Sequence, residues 1–294
     1  MNKVGFIGVG IMGKSMVRNL MKAGFELHIY ARTKSKVEDV ISEGAQSHES
    51  IKDCVQDCDA VITIVGFPQD VEEVYFDEGN ILDSAKEGAY LIDMTTTSPQ
   101  IAEKIYAEGT KRGFHVMDAP VTGGDTGAKA GTLSILVGGE KEDYEACMPL
   151  FEAMGTNINY QGKAGCGQHC KLANQIMIAG TLSGVCEALT YAKEQGLDPE
   201  VFMKSVATGA AGSKQLDTFG PKILKDDYAP GFFMKHFIKD MKLALIEANR
   251  KGLSLDVLSM VLANYEELEQ EGYGDLGTQA LMKFYDEEHR NTEE

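Results

Sequence analysis

From the first residues to about residue 160, short apolar runs alternate with longer segments in which apolar side chains recur every three or four positions. Val4 to Gly8, Glu26 to Tyr30, Ala60 to Val65, Ala89 to Asp93 and His115 to Asp118 are expected strands. Met12 to Ala23 and Pro99 to Arg112 are expected helices between them. That rhythm predicts a parallel sheet wrapped by helices. Turns are expected where glycine and proline punctuate it, at Phe67-Pro68, Ser98-Pro99 and Ala119-Pro120-Val121. Beyond about Gly165 the period changes and the rest reads almost wholly helical. His169 to Gln195 predicts one helix of about 27 residues, or about 40 Å at 1.5 Å per residue. Asp198-Pro199 predicts another helix start, with an acid at the N-cap and a proline in the first turn. Pro230-Gly231 separates the segment before a helix-like stretch from Phe237 to Arg250. The fold class expected is α/β: a doubly wound sheet domain over residues 1–163, then an all-helical domain over 164–294. The acidic end, Asp286 to Glu294, is expected to fray.

Charge narrows the partners. The 294 residues carry 45 acidic and 28 basic side chains, a net charge of −17. Since 43% of residues are apolar and 25% charged, that charge belongs to a folded surface and not to a disordered acidic chain. Such a field repels phosphate backbones and anionic lipid, so neither nucleic acid nor a membrane is an expected partner. A small anionic substrate must then be drawn in by local cations. No run reaches the 18 or so uninterrupted apolar residues that span a bilayer. Val4 to Met12 follows a single Lys3 and contains three glycines, which suits no secretory leader, so a cytoplasmic location is expected. Of the six cysteines, Cys54 and Cys58, and Cys166 and Cys170, are spaced by four within helix-like patterns. That spacing fits neither a CxxC redox motif nor the usual zinc sites, so free thiols are expected.

The opening strand runs into Gly8-Val9-Gly10-Ile11-Met12-Gly13 and then into a helix. In a dinucleotide-binding turn the first glycine allows the tight bend, the second lets the backbone approach a pyrophosphate, and the third lets the helix pack against the strand. The helix N-terminus then offers unpaired N–H groups to the phosphates. About twenty residues on, an NAD site usually presents an acid to the ribose 2′-hydroxyl. Here the chain reads Ile29-Tyr30-Ala31-Arg32-Thr33, and Arg32 can fork two hydrogen bonds onto a 2′-phosphate. NADP is therefore the expected cofactor, with NAD possible; the alternative is a surface arginine beginning a helix.

Two segments offer chemistry beside a nicotinamide. Thr122-Gly123-Gly124 follows a strand, and a hydroxyl with two backbone-exposed glycines makes a cradle for a carboxylate, or else an ordinary glycine turn. Lys171 shares a helical face with Asn174 and Gln175, so an ammonium and two amides can converge on one small polar ligand. A lysine there can act as a general acid or base; most helical lysines are simply solvated. His169 points elsewhere and reads as structural. No cluster of histidines and acids suggests a metal.

Five motifs, in this order, resemble the β-hydroxyacid dehydrogenase family, in its 3-hydroxyisobutyrate dehydrogenase-like branch. They are GFIGVGIMG near the start, DMTTTSP at Asp93 to Pro99, DAPVTGG at Asp118 to Gly124, GCGQHCKLANQ at Gly165 to Gln175, and Lys239-Asp240 after Phe237. The resemblance implies an N-terminal Rossmann-type domain, an all-helical substrate and oligomerisation domain, an active site in the cleft between them, and a homodimer or homotetramer. It implies that Lys171 is the catalytic lysine, protonating the aldehyde oxygen in reduction or taking the hydroxyl proton in oxidation. Thr122, Gly123 and Gly124 match the substrate-carboxylate loop, and Asn174 and Gln175 the amide pair that orients substrate. On the cofactor side, Gly8, Gly10, Ile11, Met12 and Gly13 match the glycine turn, and Arg32 with Thr33 the NADP-type turn. Val65, Gly66, Phe67 and Pro68 match the loop over the cofactor, Thr95 or Thr96 the hydroxyl-bearing turn near the nicotinamide, and Lys239 the cofactor-side lysine. Thr122 stands where serine is common, Gln175 where asparagine is common, and Ala31 where the NADP-type turn often has asparagine.

The resemblance thus implies an NAD(P)-dependent oxidoreductase interconverting a short β-hydroxy acid and its semialdehyde, with no metal. Substrate candidates are 3-hydroxyisobutyrate, then glyoxylate or succinic semialdehyde, tartronate semialdehyde and 4-hydroxybutyrate. Within the superfamily the competitors are an imine reductase, which commonly lacks the lysine, and a decarboxylating relative of 6-phosphogluconate dehydrogenase, which is longer. A competitor of another class is a redox-silent NADP(H)-binding regulator. Cys166 and Cys170, flanking the turn before Lys171, raise a further reading of thiol regulation.

Overall fold

The strands that open the chain are apolar at nearly every position, and the reason is burial on both faces. In β1 (Lys3–Ile7) Phe6 joins one core while its neighbour Ile7 joins another. The same split recurs at Ile62 and Val61, and at Ile92 and Leu91. Continuous apolar runs of this kind belong to central strands of a sheet covered on both sides. A computed structural model describes residues 1–285; the expected fraying of Asp286 to Glu294 lies outside the described residues. The chain forms two compact units, one over residues 1–171 and one from Leu172 on.

The remaining strands of the first unit are β2 (Glu26–Tyr30), β3 (Gln46–His48), β4 (Ala60–Thr63), β5 (Tyr90–Asp93), β6 (His115–Asp118), β7 (Val121–Thr122), β8 (Leu133–Gly138) and β9 (Gly155–Gly162). Their order is β3-β2-β1-β4-β5-β6-β8-β7, with β9 paired to β8. From β3 to β6 every pairing is parallel. The chain runs outward from β1 to β3 and then returns to place β4 on the other side of β1. That reversal puts a topological switch point between β1 and β4, where the strand ends open a crevice.

The expectation of a parallel sheet needs one correction. β8 runs antiparallel to both β6 and β7, so the sheet is mixed at that end. The 14 residues between Asp118 and Leu133 carry β7 and α7, a length that suits either direction; β7 and β8 pair as antiparallel neighbours joined through α7. β3, β7, β8 and β9 are absent from the expected strands: β3, β7 and β9 are short or largely polar, whereas β8 is an apolar run, Leu133 to Val137, whose strand signal the sequence reading missed.

Helices cover both faces. They are α1 (Ile11–Lys22), α2 (Glu38–Ser42), α3 (Ile51–Val55), α4 (Pro68–Phe76), α5 (Ile81–Ser84), α6 (Pro99–Lys111), α7 (Gly124–Ala130), α8 (Lys141–Ala146) and α9 (Met148–Met154). Met16 and Leu20 of α1 pack with Leu150 and Phe151 of α9 on one face, and Tyr75 of α4 packs with Ile105 of α6 on the other. The unit is therefore a doubly wound, Rossmann-type α/β domain.

α10 (Cys166–Glu194) starts in the first unit and continues into the second. It begins three residues earlier than its apolar period predicts. By length and apolarity it alone among the described residues could cross a bilayer. Leu172, Ala179, Leu182, Cys186 and Leu189 instead belong to the core of the second unit. That unit is completed by α11 (Pro199–Val206), α12 (Lys214–Ile223), α13 (Met234–Arg250) and α14 (Asp256–Gln270). Asp198 caps α11 as its position before Pro199 predicts, accepting the Glu200 and Val201 N–H groups. In the helical core, Phe237 meets Tyr265 edge to face at 5.4 Å, and the Tyr265 hydroxyl donates to the Thr278 carbonyl at 2.7 Å.

Candidate active site

The glycine turn after β1 sits at the switch point, and its three glycines are constrained in different ways. Gly8 has φ +97°, and a Cβ there would lie 2.1 Å from the Ile64 carbonyl oxygen. A Cβ on Gly13 would lie 2.1 Å from the Gly8 carbonyl oxygen. Both positions are closed by close approach of backbone. Gly10 differs: it is exposed, and a Cβ on it would meet nothing within 4 Å. Gly10 caps α1 without a side-chain bond, and the first turn, Ile11 to Gly13, carries no acid. The first amides of α1 are therefore left for an anion, and open space lies on the side from which a pyrophosphate would come. The turn fits a dinucleotide.

Two further loops converge on the same end of the sheet. Val65 N donates to Thr95 Oγ1 at 3.0 Å, joining the loop after β4 to the turn after β5. Thr95 is thereby buried and occupied, whereas Thr96 is half-buried. Of the two threonines matched to the hydroxyl-bearing turn, Thr96 is the one placed nearer solvent. In the β4–α4 loop, Gly66 leads to Phe67, whose N–H donates to Asp70 Oδ2 at 2.9 Å, and Pro68 opens α4. Arg32, at the end of β2 before Thr33, lies with Nη2 3.1 Å from Asp70 Oδ1. Sequence reading missed Asp70, although its position three residues after the N-cap is a capping-box spacing.

Beneath these loops lies a buried polar cluster. Asp93 Oδ1 accepts from Thr63 Oγ1 at 2.8 Å and from Thr95 N at 3.1 Å. Thr63 Oγ1 and the Tyr75 hydroxyl are 3.2 Å apart. Burial pushes the Asp93 carboxyl up to about 6. Asp118 faces Asp93 in register on β6.

Asp118 has a separate task. Its Oδ1 accepts the Gly165 N–H at 2.7 Å and its Oδ2 the Gln168 N–H at 2.8 Å. A carboxylate from a strand 47 residues away thus caps the start of α10. Burial raises the Asp118 pKa, and the two N–H bonds oppose that rise. Gly167 permits the approach, since a Cβ there would lie 2.3 Å from the Leu136 carbonyl oxygen. Gln168, fully buried, completes the attachment: Nε2 donates to the Thr95 carbonyl at 2.7 Å and Oε1 accepts the Thr97 N–H at 3.0 Å. These bonds explain why the start of α10 belongs to the sheet unit, although the change of period at 164 suggested a helical domain from there. Lys171 follows Gln168 by three residues, hence on the same helical face, and is 7% exposed. Gln168 was missed as a positioning residue; only the fold reveals its partners.

Thr122 closes β7, paired with Ser134 of β8. Gly123 and Gly124 follow with φ +132° and +65°, backbone conformations that glycine adopts without strain. In the second unit, Asp240 is fully buried and organises three other polar groups. Gln175 Nε2 donates to its Oδ2 at 2.6 Å, and Lys239 Nζ lies 2.9 Å from its Oδ1. Asn174 Nδ2 in turn donates to Gln175 Oε1 at 2.8 Å. The expected amide pair is therefore asymmetric: Gln175 is enclosed and committed at both ends, and the half-buried Asn174 is the amide nearer the surface.

All six cysteines are free. Burial raises the Cys170 thiol, which works against a thiolate switch there. Among the described residues, no three His, Cys, Asp or Glu side chains group as metal ligands would.

Residues 3–162 match a family model described as the NAD binding domain of 6-phosphogluconate dehydrogenase. Residues 165–285 match one described as NAD-binding of NADP-dependent 3-hydroxyisobutyrate dehydrogenase. A probable mitochondrial 3-hydroxyisobutyrate dehydrogenase-like protein of Arabidopsis thaliana is 44% identical, covering 95% of this chain and 84% of its own. An NAD-dependent L-serine dehydrogenase of Pseudomonas aeruginosa is 34% identical over 97% of this chain and 98% of its own. The solved structure of Mycobacterium tuberculosis 3-hydroxyisobutyrate dehydrogenase with L-serine matches with a TM-score of 0.88 at 26% identity, covering 96% of this chain and 98% of that one. The glycine turn, the capped start of α10 and these likenesses along nearly the whole chain agree: the protein belongs to the β-hydroxyacid dehydrogenase family and is an NAD(P)-dependent oxidoreductase.

Proposed function

We propose that the protein interconverts a short β-hydroxy acid and its semialdehyde, preferring NADP, with Lys171 as the general acid and base. The observation that carries this reading is the attachment of the first turn of α10. Asp118 and Gln168 bind that turn to the ends of β5 and β6, so Lys171 follows on a face whose position relative to the strand ends is held by four hydrogen bonds. When bound, the nicotinamide supplies or accepts the hydride.

Lys171 protonates the carbonyl oxygen during reduction and takes the hydroxyl proton during oxidation. Its ammonium binds the developing alkoxide more strongly than the aldehyde, which is the differential binding that catalysis requires. The Thr122 hydroxyl and the backbone N–H groups at Gly123 and Gly124 hold the substrate carboxylate. Asn174 orients the substrate's polar end, and Gln175, anchored on Asp240, orients Asn174. Lys239 serves the cofactor side and shares Asp240 with Gln175. Thr96 is the hydroxyl beside the nicotinamide, and Arg32 with Thr33 receives the adenosine 2′-phosphate. The protein acts as a homodimer or homotetramer in the cytoplasm.

The test is a panel of 3-hydroxyisobutyrate, L-serine, 4-hydroxybutyrate, and glyoxylate, succinic and tartronate semialdehydes, with each cofactor, read by nicotinamide absorbance. General acid–base catalysis contributes roughly 100- to 10,000-fold, so Lys171→Ala is expected to lose that much turnover while still binding NADPH. A variant with undiminished turnover would remove Lys171 from the mechanism.

A further inference from the structure

The end of β2 and the first turn of α4 meet through one carboxylate. Asp70 Oδ2 accepts the Phe67 N–H at 2.9 Å, and Oδ1 lies 3.1 Å from Arg32 Nη2. The two partners are unequally exposed, with the Asp70 side chain at 17% and that of Arg32 at 69%. Asp70 is therefore the anchored member, held by the loop bond and by Pro68 at the start of its helix. Two residues beyond Arg32, Lys34 Nζ stands 2.6 Å from Glu49 Oε1. Both of these cations at the β2 end thus already face a carboxylate.

We infer that Asp70 is a specificity-determining residue, which competes with the adenosine 2′-phosphate for Arg32 and so narrows the difference between NADP and NAD. This rests on the proposed placement of Arg32 at the 2′-phosphate. A guanidinium presents its donors in a rigid fork, and the edge turned to Asp70 is withheld from a phosphate. A 2′-phosphate drawn to Arg32 also comes near a carboxylate of like charge. Neither penalty applies to NAD, whose ribose carries a hydroxyl at that position. Asp70 therefore acts only on the phosphorylated cofactor, and the same turn can accept both.

The experiment measures dissociation constants for NADPH and NADH by nicotinamide fluorescence on the whole enzyme. Wild type is compared with D70N, R32A and R32A/D70N, at low and high salt. Asparagine keeps an oxygen for the Phe67 N–H, so the loop bond survives the change. An exposed ion pair of this kind corresponds to a factor of up to about fivefold, so D70N should raise the NADPH-to-NADH affinity ratio by about threefold to fivefold. The gain should vanish in the R32A background and shrink at high salt. Equal changes for both cofactors would mean that Asp70 only packs the loop, and weaker NADPH binding would mean that it preorganises Arg32; either result overturns the inference. If R32A weakens NADPH and D70N leaves the ratio unchanged, the inference alone fails. If R32A leaves NADPH binding intact, the placement of Arg32 at the phosphate fails with it.

Discussion

Asp93 holds a charge where the fold disfavours one, and Asp93→Asn isolates that effect. The carboxyl is 2% exposed, its Oδ2 has no hydrogen-bond partner among the described residues, and its Oδ1 is held by Thr63 and Thr95. Burial raises its pKa from 3.8 to about 6, against the pull of those hydrogen bonds and with a smaller push from Asp118. A difference of about two units corresponds to about 3 kcal/mol between the two protonation states. The folded-state value lies above the unfolded one, so the folded protein favours the neutral acid. The stability this provides is complete below about pH 4 and is lost as pH rises through about 6. Asparagine is neutral throughout, nearly the same shape, and can keep its carbonyl on Thr63 and Thr95. Its stability relative to wild type should therefore grow by about 2 kcal/mol between roughly pH 4.5 and 7.5. The chain has no tryptophan, so urea unfolding is best followed by far-ultraviolet circular dichroism. Cofactor is left out, because a ligand that binds only the folded state would add its own stabilisation. A stability difference that stays constant over this range, or widens toward low pH, would refute the reasoning.

The glycine turn predicts opposite outcomes at two positions. Gly10→Ala should leave cofactor-free stability within about 0.5 kcal/mol, because its Cβ meets nothing, yet weaken NADPH by about tenfold or more in a fluorescence titration. Gly13→Ala should instead lower cofactor-free stability by about 1–3 kcal/mol, because its Cβ presses on the Gly8 carbonyl. At the other end of the site, Asp118→Ala leaves the Gly165 and Gln168 N–H groups without their acceptor. It should cost about 2–3 kcal/mol in urea unfolding and reduce turnover, with Asp118→Asn intermediate.

The features that were legible in the chain share a short range. β2 and β6 fall at the expected bounds, where Leu27, Ile29 and Tyr30, and Val116 with Met117, set short apolar runs between turn segments even though Glu26, His28, His115 and Asp118 are polar. Asp198-Pro199 was readable because a cap acts over three residues. The glycine turn was readable because its spacing encodes three local steric demands. Less visible were β3 and β9, edge strands whose side chains are largely polar; β8 was missed as a strand despite its apolar run, and its antiparallel direction is carried by no local pattern. Thr95 and Thr96 were indistinguishable until the loop after β4 supplied an N–H to one of them.

The sequence by itself determined the central strands and the long helices, the dinucleotide turn, the helical spacing that links Lys171, Asn174 and Gln175, and the family those motifs resemble. All are settled by neighbours a few positions apart. Only the tertiary structure decided which groups hold them. Asp118 reaches α10 across 47 and 50 residues, Gln175 reaches Asp240 across 65, and Arg32 meets Asp70 from another strand end. Those pairings depend on strand order, register and the angles at which loops leave the sheet. A buried carboxylate takes whichever donors the finished fold brings within 3 Å, and no periodicity along the chain records that.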